Sequence, residues 1–583
     1  MLPPRGALLA LLLAALCCAS ATAPPPPITV SIAGDLGSAT SVIPNAFSTI
    51  TVWDPQSLAS PPPPGLAAAY PFLTHVELFT ATGGCYIGYD GCTSDRDLLN
   101  APARGMAGGV NATRLFAPLR NVLAAGLRPH IVTGNVPVAL SGAAARIGAF
   151  GVNSAPPANL SEYASYIEQV AAQLVAEFGL AEVATWRWGV YTEFNNQDWL
   201  TGNAASYAAL YDFTACGLER ALGGAANVDI GAHACEQCGG AADWDPAAFL
   251  EHAAQGVSAC TGGPVHLNFT GNSFYEHAPG EPGDLSAWAQ GGRSILDAAR
   301  ALGLPTRRFG VDEGRLLWGP EGPSFALTTR AVGDSYQGSF DALFFKLLTE
   351  TRAPEAYYAR WGVNTGGGLF AAGDGVVDNA AVNVAQLAHR MNGSAFVPTT
   401  NTSSSAGGWA AAPAPSIVDA VVGASSADGV LRALVFHHHP QLNASGVPAA
   451  VASVALCGLG AVVPAGPVAG ATAMRVDDAH AQFWPAWRAD AAAANISRAG
   501  GDYQAGWSEW SDNMPLSSAR ATGLLAANTA RYRLLAALRP EPLGAGGGAN
   551  TGAVVGADRC VRFALELPPH GVALVELPRC AGG

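Results

Sequence analysis

Short apolar runs alternate with amphipathic helical stretches over about 350 residues, and this alternation constrains the chain more than any other feature of it. The runs are Phe47 to Trp53, His75 to Thr80, His130 to Gly134, Thr185 to Tyr191, Val228 to Gly231, Val265 to Phe274, Arg308 to Asp312 and Ala356 to Trp361. Between them lie helical patterns such as Ser161 to Phe178, where Tyr163, Tyr166, Ile167, Val170, Leu174 and Phe178 recur on one face, and Ala204 to Leu222. A strand that is followed by a helix and then by another strand pairs in parallel, because the crossover returns it to the same sheet edge. Eight such units predict a (β/α)8 TIM barrel over residues 28–395.

The chain has 583 residues, more than a single barrel core needs. Helical patterning ends near Met391, and 396–415 has the Thr, Ser, Ala, Gly and Pro composition of a linker. From Ser416 onward short β-type runs take over: Val430 to His437, Ala450 to Leu456, Tyr532 to Ala536 and Val572 to Leu577. They predict a C-terminal β-sandwich over 416–583. The Gly-rich run Ala545 to Ala549 lacks the strand, Lys and helix of a phosphate cradle and reads as a surface loop.

Arg5, the apolar run Ala7 to Leu16 and the small-x-small triplet Ala19-Ser20-Ala21 read as a secretory signal peptide over 1–21. No later apolar stretch approaches the ~20 residues needed to span a bilayer. Of 11 cysteines, Cys17 and Cys18 leave with the signal, and nine remain, an odd number. Close pairs such as Cys85 with Cys92 and Cys560 with Cys580 suggest local disulfides formed in an oxidising lumen. Sequons at Asn111, Asn159, Asn268, Asn392, Asn401, Asn443 and Asn495 suit a chain that acquires N-glycans. A secreted or lumenal destination is therefore expected. The net charge of −14 disfavours attraction to nucleic acid or an anionic membrane, so the expected partner is neutral or small.

Two segments have the same construction. In Trp186-Arg187-Trp188-Gly189-Val190-Tyr191-Thr192-Glu193 an aromatic strand runs into a carboxylate, and Phe194-Asn195-Asn196-Gln197-Asp198-Trp199 follows. In Arg308-Phe309-Gly310-Val311-Asp312-Glu313 the strand again ends on a carboxylate, ahead of Gly314-Arg315-Leu316-Leu317-Trp318. Barrel strands present their C-terminal ends to the active site. A lone strand-end Glu is more often a helix cap or half of a surface ion pair. Two of them, on the fourth and seventh candidate strands, suit glycosidic cleavage, in which one group protonates the leaving oxygen and the other faces the oxocarbenium-like carbon.

These segments resemble clan A glycoside hydrolases, and in particular family 39, which contains β-xylosidases and α-L-iduronidases. The resemblance implies Glu193 as general acid/base and Glu313 as nucleophile. It extends to Gly134-Asn135-Val136-Pro137, to the Tyr207 to Thr214 helix, to Asn272-Ser273-Phe274-Tyr275 at the sixth strand end, and to Trp361 at the eighth. Thr192, Asn195, Asn135, Tyr275, Trp318 and Trp361 are the expected substrate-binding residues. The family usually carries Asn where this chain has Thr192, and Pro where it has Asn196. The expectation is a secreted, retaining O-glycosidase that releases a terminal sugar from a glycoside or oligo- or polysaccharide, with no metal or cofactor. The alternatives are an endo-acting glycanase of the same clan and an inactive carbohydrate-binding barrel.

Other chemistry has less support in the sequence. Cys235-Glu236-Gln237-Cys238 has no second ligand pair at metal spacing and reads as disulfide cysteine. His437-His438-His439 reads as an exposed turn, and His75 and Glu77 as core or pocket-lining residues. Arg315, next to Glu313, is a candidate partner for a substrate carboxylate. Neither a G-x-S-x-G elbow nor an H-E-x-x-H helix is present.

Overall fold

The computed structural model describes residues 27–583 except 54, 80, 85–96, 100–108, 142–145, 149–150, 236–242, 278–284, 287, 289–291, 318–333, 361, 367, 404–415, 443, 445, 461–462, 505–513, 546–547 and 579–583. The signal segment, Cys85, Cys92, Cys580, Trp318 and Trp361 lie outside the described residues.

Strands β1 (Ile28–Asp35) and β2 (Ser41–Val42) come first, followed by the eight barrel strands β3 (Thr49–Val52), β4 (His75–Leu78), β5 (Arg128–Thr133), β6 (Arg187–Val190), β7 (Asp229–Cys235), β8 (Phe269–His277), β9 (Phe309–Leu317) and β10 (Tyr357–Tyr358). β3 to β10 pair in parallel, each with the next in sequence. The barrel closes where Ile50 bridges Arg360 in parallel, with the Thr51 amide donating to the Arg360 carbonyl at 2.6 Å. Each predicted barrel run overlaps its strand, although β5 begins two residues earlier and β7, β8 and β9 extend past the predicted ends. Glu313 therefore sits within β9 rather than at its terminus.

The crossover helices follow their sequence patterns. The Asn159 side chain caps helix Leu160–Phe178 by accepting from the Ser161 and Glu162 amides, and the helix buries Tyr163, Tyr166, Ile167, Val170 and Leu174. Helix Ala204–Leu222 opens with a reciprocal capping box between Asn203 and Ser206.

The barrel interior is polar and tightly filled. Thr51, Glu77, His130, His233 and Tyr357 come from β3, β4, β5, β7 and β10, yet they form a connected set: Thr51 Oγ1 lies 3.3 Å from Glu77 Oε2, Glu77 Oε1 lies 3.3 Å from His130 Nδ1, the His130 and His233 rings lie 5.4 Å apart, and His233 Nε2 lies 3.1 Å from the Tyr357 hydroxyl. Large side chains fit there because glycines face them. A Cβ on Gly271 would lie 2.3 Å from the His233 ring and 2.6 Å from the Gly310 carbonyl, and one on Gly310 would lie 2.2 Å from the Tyr357 ring.

The second domain is built from two sheets, ordered mainly by antiparallel pairing. Two expected boundaries move. β1, expected with the barrel, instead pairs in parallel with Ala450–Cys457 and antiparallel with Thr399–Ser403, while β2 pairs with Ala395–Val397. The chain thus threads the sandwich before it enters the barrel, and the stretch read as a linker contributes strands at 395–397 and 399–403. Tyr532 to Ala536, read as a strand, is the end of helix Ala519–Ala536: Ala-rich sequence before it sustains the helix, and Tyr532 and Ala536 face a separate apolar cluster with Phe483 and Trp487.

One apolar core runs from the barrel into the sandwich, joining Phe340 and Phe344 of helix Ser335–Glu350 to Leu434, Phe436 and Leu574. The His437-His438-His439 run belongs to this junction. It is buried rather than an exposed turn: His438 Nδ1 lies 2.8 Å from Ser339 Oγ of the barrel helix, and Tyr336 packs against His438 and His570.

The described disulfides are Cys216–Cys260 and Cys457–Cys560. Cys560 is thus bonded to Cys457 and not, as its position in sequence suggested, to Cys580, because β-strand pairing brings residues about a hundred positions apart side by side. Cys235 is disulfide-bonded as well. Among the described residues, no helix is long and apolar enough to cross a membrane.

Candidate active site

The chain leaves β6 through Tyr191 and Glu193, both with positive φ, at 63° and 45°. These are backbone conformations that bulky L-residues seldom adopt, so neighbouring contacts must hold them. Phe194 stacks flat on Tyr207 at 4.3 Å, its amide donates to the His233 carbonyl, and the Tyr191 hydroxyl accepts from the Val136 amide at 3.1 Å. The Asn195 side chain clamps β7, accepting from the Cys235 amide at 2.7 Å and donating to its carbonyl at 3.0 Å. Its amide is spent on scaffold, so this residue of the expected substrate-binding set fixes the loop instead. Asn135 does the same, donating to the Trp199 carbonyl at 2.7 Å from a buried position.

The fastened loop and β9 bring together Thr192, Glu193, Asp312 and Glu313, and β8 adds Tyr275. Glu313 Oε2 accepts from the Tyr275 hydroxyl at 2.9 Å, and Thr192 Oγ1 lies 3.0 Å from Glu313 Oε1 and 3.1 Å from Asp312 Oδ2. Asn196 Nδ2 donates to Glu193 Oε2 at 2.8 Å. Glu193 and Glu313 keep 7% and 6% exposure, whereas Asp312 has none, so the two glutamates and not the aspartate are open to a ligand.

Burial raises all three carboxyls. For Glu193 it is the largest cause, opposed by the Asn196 hydrogen bond. For Glu313 burial is reinforced by the charges of Glu193 and Asp312 and opposed by Tyr275 and Thr192. Asp312 is pushed up to about 8 by burial and then by the Glu193 charge. These effects place Glu193 and Glu313 within electrostatic reach of each other across one barrel mouth. Such a cluster of buried acids resists full ionisation, which suits acid/base chemistry between two carboxyls.

Tyr275, expected to touch substrate, is engaged with Glu313. Asp312 stood in the quoted motif without a role, because nothing in a linear sequence shows that Thr192 lies between it and Glu313. Of His75 and Glu77, weighed as core or pocket residues, His75 is half-buried at the start of β4 and Glu77 is fully buried in the barrel interior. Glu77, His130 and His233 are the group among the described residues that brings three metal-capable donor atoms within 4.8 Å of one another. A cleft of about 430 Å³ between Pro63 to Tyr70, Ala371 to Val376 and Arg533 to Leu538 contains neither glutamate.

Fold and site together define a TIM barrel with a β-sandwich domain and two carboxyls at neighbouring points of its C-terminal mouth. Residues 108–283 match the model of Glycosyl hydrolases family 39, which bears out the resemblance read from the sequence. Over 135 residues the chain is 27% identical to a β-xylosidase of Geobacillus stearothermophilus, a match spanning 23% of this chain and about a quarter (26%) of that enzyme. Among solved structures, a monomeric β-xylosidase from Caulobacter crescentus shares the fold with a TM-score of 0.58 at 15% identity, covering 94% of this chain and 99% of that one. A bacterial orthologue of human α-L-iduronidase gives 0.60 at 13% identity, covering 94% and 84%. A family 39 enzyme from Xanthomonas axonopodis pv. citri gives 0.57 at 15%, covering 99% of both chains.

Proposed function

We propose that the chain is a secreted glycoside hydrolase that releases a terminal sugar from a glycoside or oligosaccharide by double displacement, with retention, acting as a β-xylosidase or α-L-iduronidase does. Glu313 attacks the anomeric carbon and forms a glycosyl ester as Glu193 protonates the departing oxygen. Glu193 then takes a proton from water, the water oxygen attacks the anomeric carbon, and the Glu313 carboxylate leaves.

The observation that carries this reading is the pair of slightly open glutamates at one barrel mouth, each held by its own donors: Glu313 accepts hydrogen bonds from the Tyr275 and Thr192 hydroxyls, and Glu193 accepts from the Asn196 amide, while burial raises both. The likeness to family 39 over residues 108–283 and the named relatives supports the sugar classes. The N-terminal Arg5 and apolar run, the sequons and the disulfides support secretion and N-glycan attachment.

The test is hydrolysis of aryl β-xylosides, α-L-arabinosides, β-glucosides and α-L-iduronides by the purified protein, with Glu193→Gln and Glu313→Gln beside it. Release from one member that falls by at least about a thousandfold in both variants is expected. Binding of sugars without release from any of them contradicts the reading and favours an inactive carbohydrate-binding barrel.

A further inference from the structure

We propose that Asp312 is a neutral carboxylic acid in the working protein and that it positions Glu313 through Thr192, in a relay running Asp312 Oδ2–H to Thr192 Oγ1 and Thr192 Oγ1–H to Glu313 Oε1. The inference rests on the reading of Glu313 as the ionised nucleophile.

The argument is a count of protons. Thr192 has one hydroxyl hydrogen, yet its oxygen lies within 3.1 Å of both carboxyls. If both were anions, one hydrogen would serve two buried charges, and the charges would repel each other with little solvent to screen them. A second proton on one carboxyl resolves this, since that group donates to Thr192 and frees the Thr192 hydrogen for the other.

The surroundings decide which carboxyl holds the proton. Glu313 has a second donor, the Tyr275 hydroxyl, on its other oxygen. Asp312 has no second side-chain donor: beyond Thr192 its anion is favoured only by the backbone amides of Asp312 and Glu313, and its Oδ1 is fully buried without a partner at hydrogen-bond geometry, which an acid's carbonyl oxygen tolerates better than an anion does. Glu313 on its own strand, Glu193 beyond β6, Glu77 on β4, Tyr357 on β10 and His233 on β7 face it. His233 Nδ1 lies 3.5 Å from Asp312 Oδ2 but supplies no positive charge, because burial and the Arg187 charge lower that imidazole to about 3. Arg187 acts on Glu77 and His233 rather than pairing with Asp312. The balance favours the proton on Asp312.

Two measurements on the full chain test the relay. The first is infrared difference spectroscopy at neutral pH in a Glu193→Gln background, which removes one neighbouring acid and leaves Asp312, Glu313 and Glu77 to be told apart. Adding Asp312→Asn is expected to abolish one protonated-carboxyl carbonyl band, and an unchanged band overturns the proposal whether or not Glu313 is the nucleophile. The second is kinetics of Thr192→Ser against Thr192→Val. Serine keeps the hydroxyl and is expected to stay within a few-fold of wild type, whereas valine lowers kcat by about ten- to hundredfold with KM little changed. Valine kinetics equal to wild type overturn the relay. If Glu313→Gln retained full activity the nucleophile reading would fail, and the carbonyl band would still report where the proton sits.

Discussion

A buried carboxylate remains an anion only where donors meet its oxygens, and Glu313 has one hydroxyl on each. Tyr275 is the more exposed of the two donors, so it is the simpler to remove without disturbing the barrel. Tyr275→Phe keeps the ring and deletes the bond to Oε2. A charge-assisted hydrogen bond contributes about 1.5–3 kcal/mol, so kcat/KM is expected to fall roughly ten- to hundredfold. Losing a donor also lifts the Glu313 carboxyl, moving the acidic limb of the pH profile upward. An unshifted limb would show that Tyr275 does not act on Glu313. At this scale the sequence revealed residue types at strand ends but not their partners. Asn135 and Asn195 read as sugar-binding amides, because the carbonyls that take up their hydrogen bonds, at Trp199 and Cys235, lie 64 and 40 positions away.

Among the elements, the barrel strands were the most legible, because their outward-facing residues, such as Val76 and Leu78 of β4, are apolar and recur between helical stretches, even where inward-facing ones are polar. Their small interior residues carried a message that periodicity does not report. Gly271 is small because the His233 ring and the Gly310 carbonyl occupy the space a side chain would need. Gly271→Ala is therefore expected to lower stability by about 1–3 kcal/mol in chemical denaturation, near the upper end because one of the clashing groups is backbone. Gly263→Ala, where the nearest side-chain atom to a new Cβ is Thr261 Oγ1 at 3.7 Å, should be neutral. Equal stability of the two variants would contradict the packing account. Elements whose signal was weaker went astray: Tyr532 to Ala536 has the composition of a strand, but it closes a long helix whose earlier turns are Ala-rich.

Across the whole molecule, the order of domains in space differs from their order in sequence. The sandwich takes its first strand from residues 28–35 and completes itself after the barrel is finished, so both ends of the barrel segment are held in one β-structure. A linear reading divides the chain where composition changes and cannot see a strand that pairs with a partner some 400 positions later. The same limit applied to Cys560, whose partner Cys457 is 103 residues away, and to the histidine run, buried by a helix from the other domain. The central claim is double displacement on Glu313, and its most direct test is to trap the intermediate. The protein is incubated with a 2-deoxy-2-fluoro glycoside of the accepted sugar, carrying a good leaving group, and then digested and mapped by mass spectrometry. The account predicts one added glycosyl unit per chain on the peptide carrying Glu313, and none in Glu313→Gln; a label on another carboxylate, or an inverted anomer as first product with no label at all, would contradict it.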